Sequence, residues 1–585
     1  MNPPVTSSPT TRAAVDNGVP LGGVDNATAT QVVGQQAQTA LEKPLTVHDS
    51  QDSAQTGDDT VYPGRLAFWV IYTGLLLATF VIGFDSNCVA TIIPVITDEF
   101  HSLNDVGWYG TAYLITSAST LVAYGKIYKY YPAKRVYLIA LSVYILGSIV
   151  CATAPSSLAF IIGRAVAGLG SAGLIAGGKV VVTRILPMHL RPLYQGYIGG
   201  VESVAIAIGP LIGGALTLAS SWRAVFYISI PIGVINGVGL LLLGNMPDIP
   251  TPEATTRRER LRALDLPSVA LLVPCVVCLV LALTWAGAQY AWSNFRVIVT
   301  LTLSGILALI FALLQYYKND SATLPPRILT QRSIAFSSMF SFCNSACLFV
   351  LTYYLPIYFQ AIRGANTLTS GVMSLPLVGG LIIASLGAGH LTTRIGYYTP
   401  SMIASSVFTS VGTGLITTLS VHSSVATWTV FQLLAGLGCG LGFQQPYVAA
   451  QKAVNKPDVP TALVVVGFAQ RLGNIVCLAA AQYVFTSRLV ANLRRGVPQV
   501  DPTVVLNTGA TSLRTSVADM YEPAVLKAYS VTLARVFQIA VVLSCLAMVG
   551  ALGIEWKSVK KVELQETALR AISTPAEEPG EHEEK

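Results

Sequence analysis

The chain has 585 residues, 52% of them hydrophobic, a mean hydropathy of +0.59 and only 11% charged side chains. Soluble globular chains carry roughly 25% charge, so the composition argues against a soluble enzyme, a secreted disulfide scaffold and a disordered chain. The apolar residues come in long blocks between short basic segments, which predicts a polytopic membrane protein. The net charge of +7 is unevenly placed: residues 1–64 sum to −5 and residues 554–585 to −3, leaving +15 over short central connections. No contiguous basic patch of the kind that tracks phosphates is present, so no nucleic-acid partner is expected.

Residues 1–64 are rich in Ser, Thr, Gly, Gln and Asp. They lack the basic start and apolar core of a signal peptide and read as a disordered, acidic, cytosolic tail. Crossing ~30 Å of hydrocarbon takes about 20 apolar residues. On that basis fourteen spans are predicted, near 67–95, 107–126, 136–154, 158–178, 194–216, 224–244, 267–287, 296–317, 335–358, 370–390, 400–420, 427–449, 460–486 and 531–553. Seventeen Lys and Arg, Lys126 and Lys179 among them, follow even-numbered spans, against three (Arg223, Arg296 and Arg363) after odd-numbered ones. Lys and Arg stay on the cytosolic side, so both termini are expected there, with a long loop at about 487–530 outside. The nine cysteines sit in apolar blocks; the Cys275–Cys278 pair has C-x-x-C spacing but no histidine partner, and reads as packing.

The sequence repeats itself. Gly125-Lys126-Ile127 recurs in position as Gly389-His390-Leu391, and Ala167-Gly168-Leu169-Gly170 recurs unchanged as Ala435-Gly436-Leu437-Gly438, at offsets of 264 and 268 residues. The expected fold is therefore an all-α polytopic membrane protein of fourteen transmembrane helices. Two six-helix bundles occupy 65–245 and 321–553, with two inserted helices in 246–320 and a cytosolic tail at 554–585. Parallel six-helix repeats are a transporter architecture with the substrate site at their interface.

Two nucleotide-like motifs fail on context. Gly168 to Gly173 fits G-x-G-x-x-G but lies inside a span, and Gly173 to Lys179 fits G-x-x-x-x-G-K but is followed by Val180 instead of Ser or Thr. Small residues packing against a neighbouring helix explain both, so no nucleotide, cofactor or metal is expected, and no enzyme: the chain has no H-E-x-x-H and no G-x-S-x-G. Ionisable side chains at membrane depth cost ~2.5–3.5 kcal/mol each on insertion scales and mark function. They are Asp85, Arg164, Glu202 and Arg471. Asp85 or Glu202 beside Arg164 would load and release a proton, or else the charges form a static pair tying helices together. Gly209-Pro210-Leu211-Ile212-Gly213-Gly214 reads as a kinked, tightly packed hinge.

These motifs resemble the major facilitator superfamily, and within it the fourteen-span drug:proton antiporters. Gly209-Pro210-x-x-Gly213-Gly214 is similar to the antiporter motif, Phe84-Asp85 with Pro94 to the first-span motif, and Arg164-x-x-x-Gly168-x-Gly170 to the fourth-span motif. Asp105 to Gly110, Tyr353 to Gln360, Gln444-Gln445-Pro446 and Glu555-Trp556-Lys557 resemble fungal members that export toxins and other secondary metabolites. The likeness covers about 65 to 557. The resemblance implies proton-coupled efflux of small amphipathic organic molecules by a monomer in the plasma membrane or, alternatively, a vacuolar or vesicle membrane. It also implies a central cavity, with Asn344, Tyr353, Tyr354, Gln444, Gln445 and Gln470 either lining it or making interhelical contacts. A proton-coupled importer is the alternative function. One departure concerns the gate loop after the second span, where Gly125 is kept but Lys129 and Pro132 replace the usual aspartate and glycine. The aspartate latch cannot form there, and Lys129, Lys134 and Arg135 are expected to hold lipid headgroups or acidic groups of another helix.

Overall fold

A computed structural model describes residues 62–102, 105–244, 246, 264–286, 290–500, 502, 505 and 520–560. The acidic N-terminal tail, the basic residues at 257–262, the end of the C-terminal tail and most of 501–519 lie outside the described residues. The long helices are α1 (Arg65–Phe100), α2 (Val106–Tyr130), α3 (Ala133–Ala152), α4 (Ser157–Ile185), α5 (Arg191–Ala219), α6 (Arg223–Leu242), α7 (Leu266–Trp285), α8 (Phe295–Lys318), α9 (Arg332–Arg363), α10 (Leu375–Ile395), α11 (Thr399–Ile416), α12 (Val425–Gly442), α13 (Val459–Gly496) and α14 (Glu522–Gly553). A short helix, Gln445–Ala453, continues α12. Local chemistry sets the starts: Ser156, Asn294 and Ser424 cap α4, α8 and α12 through side-chain oxygens. Pro192, Pro267, Pro376, Pro400, Pro460 and Pro523 sit in first turns, where the missing N–H has no partner to lose.

Among the described residues, twelve helices are long and apolar enough to cross a membrane. The two long helices that fall short by hydropathy are α2 and α11. The first carries Lys126, Lys129 and several hydroxyls, and the second is 18 residues rich in Ser, Thr and Gly. Several helices outrun the apolar blocks that predicted them. Helix α13 continues through 487–496, part of the expected outer loop, because Leu489 and Leu493 stay on its buried side and Asn492 donates to Thr532 of α14 at 3.0 Å.

Ion pairs and hydrogen bonds sort the connections to two ends. At one end Lys129 meets Asp458, Lys134 donates to the Leu241 carbonyl, Arg184 to the Tyr128 carbonyl, and Tyr398 to the Glu555 carbonyl. At the other end Arg223 pairs with Glu99 and donates to the Ala154 carbonyl, and Arg363 donates to the Val421 carbonyl. The first is the basic end.

Packing repeats as the sequence does. Helix α4 packs on α2 and α3, α1 on α5 and α6, and α3 on α6; in the same pattern α12 packs on α10 and α11, α9 on α13 and α14, and α11 on α14. Close crossings in the two halves are built from glycines facing matching alanines. A Cβ on Gly147 would lie 2.3 Å from the Ala167 nitrogen, and one on Gly412 would lie 2.5 Å from the Ala435 nitrogen. Ala167 and Ala435 are the same position of the repeat.

Helices α7 and α8 have no counterpart in this pattern. They pair with each other, and α7 also lies on both α2 and α13. Asp265, in the left-handed conformation at the start of α7, binds Lys318 and accepts from the N–H and hydroxyl of Thr323. Burial raises its carboxyl pKa, but hydrogen bonds from Lys318, Ser268 and Thr323 outweigh burial and hold it below the usual carboxylate value. Lys126 of α2, counted in the sequence among the loop cations, is buried inside its helix and donates to the Ser321 carbonyl at 3.2 Å.

Candidate transport site

The two repeats meet along two seams. At one, Gly125 of α2 faces Val464 of α13, where a Cβ would sit 3.2 Å from the valine Cβ. At the other, α5 crosses α10: a Cβ on Gly389 would lie 2.7 Å from the Pro192 carbonyl oxygen, and Ser385 donates to the Gly196 carbonyl at 3.2 Å. Between the seams lies a cavity of about 230 Å³ lined from both repeats, with Leu114, Ile175, Leu348 and Phe349 among its apolar walls.

Asp85 and Arg164 come together as expected. Glycine makes this possible: a Cβ on Gly168 would lie 2.4 Å from the Tyr113 carbonyl oxygen, so α4 can lie against α2 only without one. Arg164 Nη1 then donates to both Asp85 carboxylate oxygens at 2.9 Å, and Nε donates to the Tyr109 carbonyl at 3.1 Å. The guanidinium is 4.4 Å from the Tyr113 ring centre. Both residues are 1% exposed, although Arg164 borders the cavity and Asp85 sits behind it. Removing one partner of such a pair strands a charge, typically at a cost of about 3–5 kcal/mol.

Glu202 does not join them. It lines the cavity from α5, and its charge acts on Lys179, as does that of Arg471. The sequence places Lys179 among the cations beyond the fourth span. It lies inside α4, 9% exposed, because the helix runs on to Ile185. Its Nζ donates to Gln444 Oε1 and sits 4.5 Å from the Tyr447 ring centre. Tyr447 in turn donates to Gln470 Oε1 at 2.6 Å. A polar cluster of Lys179, Glu202, Gln444, Tyr447, Gln470 and Arg471 thus spans both repeats. A sequence signal for Lys179 existed: it follows Arg164 by fifteen residues, about 22 Å along the helix and within about 60° of the same face.

The expected cavity residues divide. Gln444 and Gln470 line it; Asn344, Tyr353, Tyr354 and Gln445 do not. Helical phase is the reason. On α9 the cavity is met by Ser345, Leu348, Phe349 and Thr352. At about 100° per residue, Tyr354 points to the far side and Asn344 and Tyr353 to the flanks. Asn344 donates to the Cys439 carbonyl, Tyr354 to Gln482, and Gln445 accepts from Thr392, so these three are interhelical contacts. Tyr353 is 49% exposed and does not belong to the cavity lining.

The span-five motif divides as well. Pro210 lies within an unbroken α5. A Cβ on Gly209 would lie 3.0 Å from Asn87 Cβ, and one on Gly213 3.0 Å from the Thr91 hydroxyl and 3.1 Å from Cys88 Cβ, while one on Gly214 meets nothing within 4 Å. Two of the three glycines therefore seat α5 on α1. Gly213→Val is expected to cost about 1–3 kcal/mol by overpacking and to cut transport sharply. Gly214→Ala should match the parent in melting temperature and transport rate; equal behaviour of the two variants contradicts this packing.

At the basic end Lys129 Nζ and Asp458 Oδ1 are 2.8 Å apart, and Arg327 Nη2 reaches the other Asp458 oxygen at 2.8 Å. Lys129 thus finds an acidic group across the seam, with the polarity of the usual latch reversed. Lys134 is engaged with the Leu241 carbonyl and Arg135 is exposed.

Repeated helix packing around a central cavity, with a buried ion pair beside it, defines a membrane transporter of small molecules. Residues 75–478 match the Major Facilitator Superfamily, and the chain belongs to that family. The MFS-type transporter astH of Aspergillus oryzae is 41% identical over 520 residues, covering 89% of this chain and 91% of its own length. The rubrofusarin-specific efflux pump aurT of Gibberella zeae is 39% identical over 506 residues, covering 86% and 92%. The human organic anion transporter MFSD10 (TETRAN) aligns in structure with a TM-score of 0.51 over 82% of this chain and 99% of its own. At 14% sequence identity that likeness speaks for the fold alone.

Proposed function

We propose that this protein is a proton-coupled exporter of small, largely apolar secondary metabolites. The observation that carries the reading is the buried Asp85–Arg164 pair at the edge of a cavity shared by both repeats. Protonating Asp85 dissolves the pair, so one proton changes how α1, α2 and α4 hold together. Relatives named as efflux pumps support the outward direction. Helices α2 and α11 also cross the membrane, which gives fourteen spans: α2 is packed among α4, α7 and α13, and α11 among α12 and α14, all of them helices that qualify. The halves are 65–245 and 321–553, with α7 and α8 inserted. The basic end faces the cytosol, both termini with it, and the protein works as a monomer in the plasma membrane.

The test is efflux of a fluorescent aromatic compound from preloaded cells with and without a protonophore. Export should fall to the passive rate when the proton gradient collapses. Export that persists, or net accumulation inside, overturns the proposal.

A further inference from the structure

Among the residues that line the cavity, Arg164, Lys179 and Arg471 are cationic and Glu202 alone is acidic. Asp85 cancels Arg164. That leaves Lys179 and Arg471 against one carboxylate, a surplus of one positive charge. Neither cation makes an ion pair within 4.0 Å among the described residues, and Arg471 makes no hydrogen bond either. Among the described residues the direct contacts of Lys179 are a neutral amide and an aromatic face, with the Glu202 charge acting from beyond ion-pair distance, although a desolvated ammonium calls for a counter-charge in contact. Beside it, Gln444 Nε2 is buried without an acceptor. An unbalanced cation pair and an unused donor, set in a wall that mixes apolar side chains with neutral hydroxyls and amides, lack one thing in common: an anionic acceptor.

We infer that the cavity takes an organic anion, an aromatic or aliphatic body bearing one carboxylate or phenolate, with the acidic group seated between Lys179 and Arg471. This rests on the transport reading of the cavity. Because Lys179 comes from the first repeat and Arg471 from the second, the anion bridges the two. The arrangement also sorts the carboxylates. The charge of Glu202 acts on Lys179 and Tyr447, and the charge of Arg471 acts on the same two groups. A proton on Glu202 raises the cluster's positive charge and tightens anion binding, whereas exchange needs a proton that weakens it. The exchanged proton is therefore placed on Asp85: it frees the Arg164 charge about four helical turns from Lys179, too far to hold the anion directly, and acts on the cluster through the arrangement of the halves.

The experiment uses the purified full chain in lipid nanodiscs and three probes of one shape: 2-naphthoate, 2-naphthamide and 2-naphthylmethylammonium. Titration calorimetry at fixed neutral pH should show naphthoate binding at least tenfold more tightly than the amide, and the ammonium most weakly. Lys179→Met and Arg471→Gln should each erase most of that preference by weakening naphthoate far more than the amide, Lys179→Arg should keep it, and Glu202→Gln should tighten naphthoate. Equal affinities, a preference for the ammonium, no binding of any probe, or variants that weaken all three alike overturn the inference. Protonophore-sensitive export of the amide from cells separates the two claims. If it persists without an anion preference, only the substrate class is wrong; if it is absent, the export reading fails.

Discussion

Asp85→Asn is expected to reduce uphill export to the passive rate, a loss of at least a hundredfold in the gradient the protein can build. The substitution removes the proton site and also strands Arg164, 1% exposed, without a counter-charge, so a loss of about 3–5 kcal/mol of stability should accompany it. The double variant Asp85→Asn with Arg164→Gln separates the two effects. With no charge left to strand, it should recover most of the melting temperature lost by the single variant. It should still bind substrate and exchange it downhill, but without response to an imposed proton gradient. If the double variant restores proton-driven export, the pair is a static tie between α1 and α4. Glu202→Gln serves as the contrast and should keep the response to the gradient.

Breaking the reversed latch should shift the balance between states. Asp458 holds Lys129 from one repeat and Arg327 from the segment preceding the other, each at 2.8 Å. Charge-assisted hydrogen bonds of this kind contribute about 1.5–3 kcal/mol, so Asp458→Ala should favour opening of the basic end by roughly ten- to a hundredfold. A cysteine introduced at Val464, which faces Gly125 across the seam, reports the opening through its rate of labelling by an impermeant maleimide in inside-out vesicles. Asp458→Ala and Lys129→Asp should both label faster than the parent. Reversing both charges at once, Lys129→Asp with Asp458→Lys, should return labelling toward the parent rate. Parent-like labelling in Asp458→Ala would mean that the glycine crossing of α5 and α10 closes this end by itself.

The sequence showed whatever depends on residue type along one helix. Repeated glycines appeared as a repeat because close helix crossings demand them, and Gly147, Gly168 and Gly412 sit where an added Cβ would meet backbone. Asp85 and Arg164 stood out because charge at membrane depth is rare. Rotational phase and long-range pairing were not visible. Tyr353 and Tyr354 have the chemistry of a cavity wall but face elsewhere on α9. Lys179 was hidden because α4 extends past its apolar block and carries the lysine with it. Lys129 and Asp458 are 329 residues apart, and nothing local to either names the other.

Helix α7 lies on α2 and on α13, and so touches both walls of one seam, while the element packed on both α5 and α10 among the described residues is the seven-residue helix Thr367–Met373. The two sides of the molecule are therefore mechanically unequal. The α7 side cannot part without α7 surrendering one of its two partners, so separation of the repeats there would cost a helix contact that the other seam does not ask of a long helix.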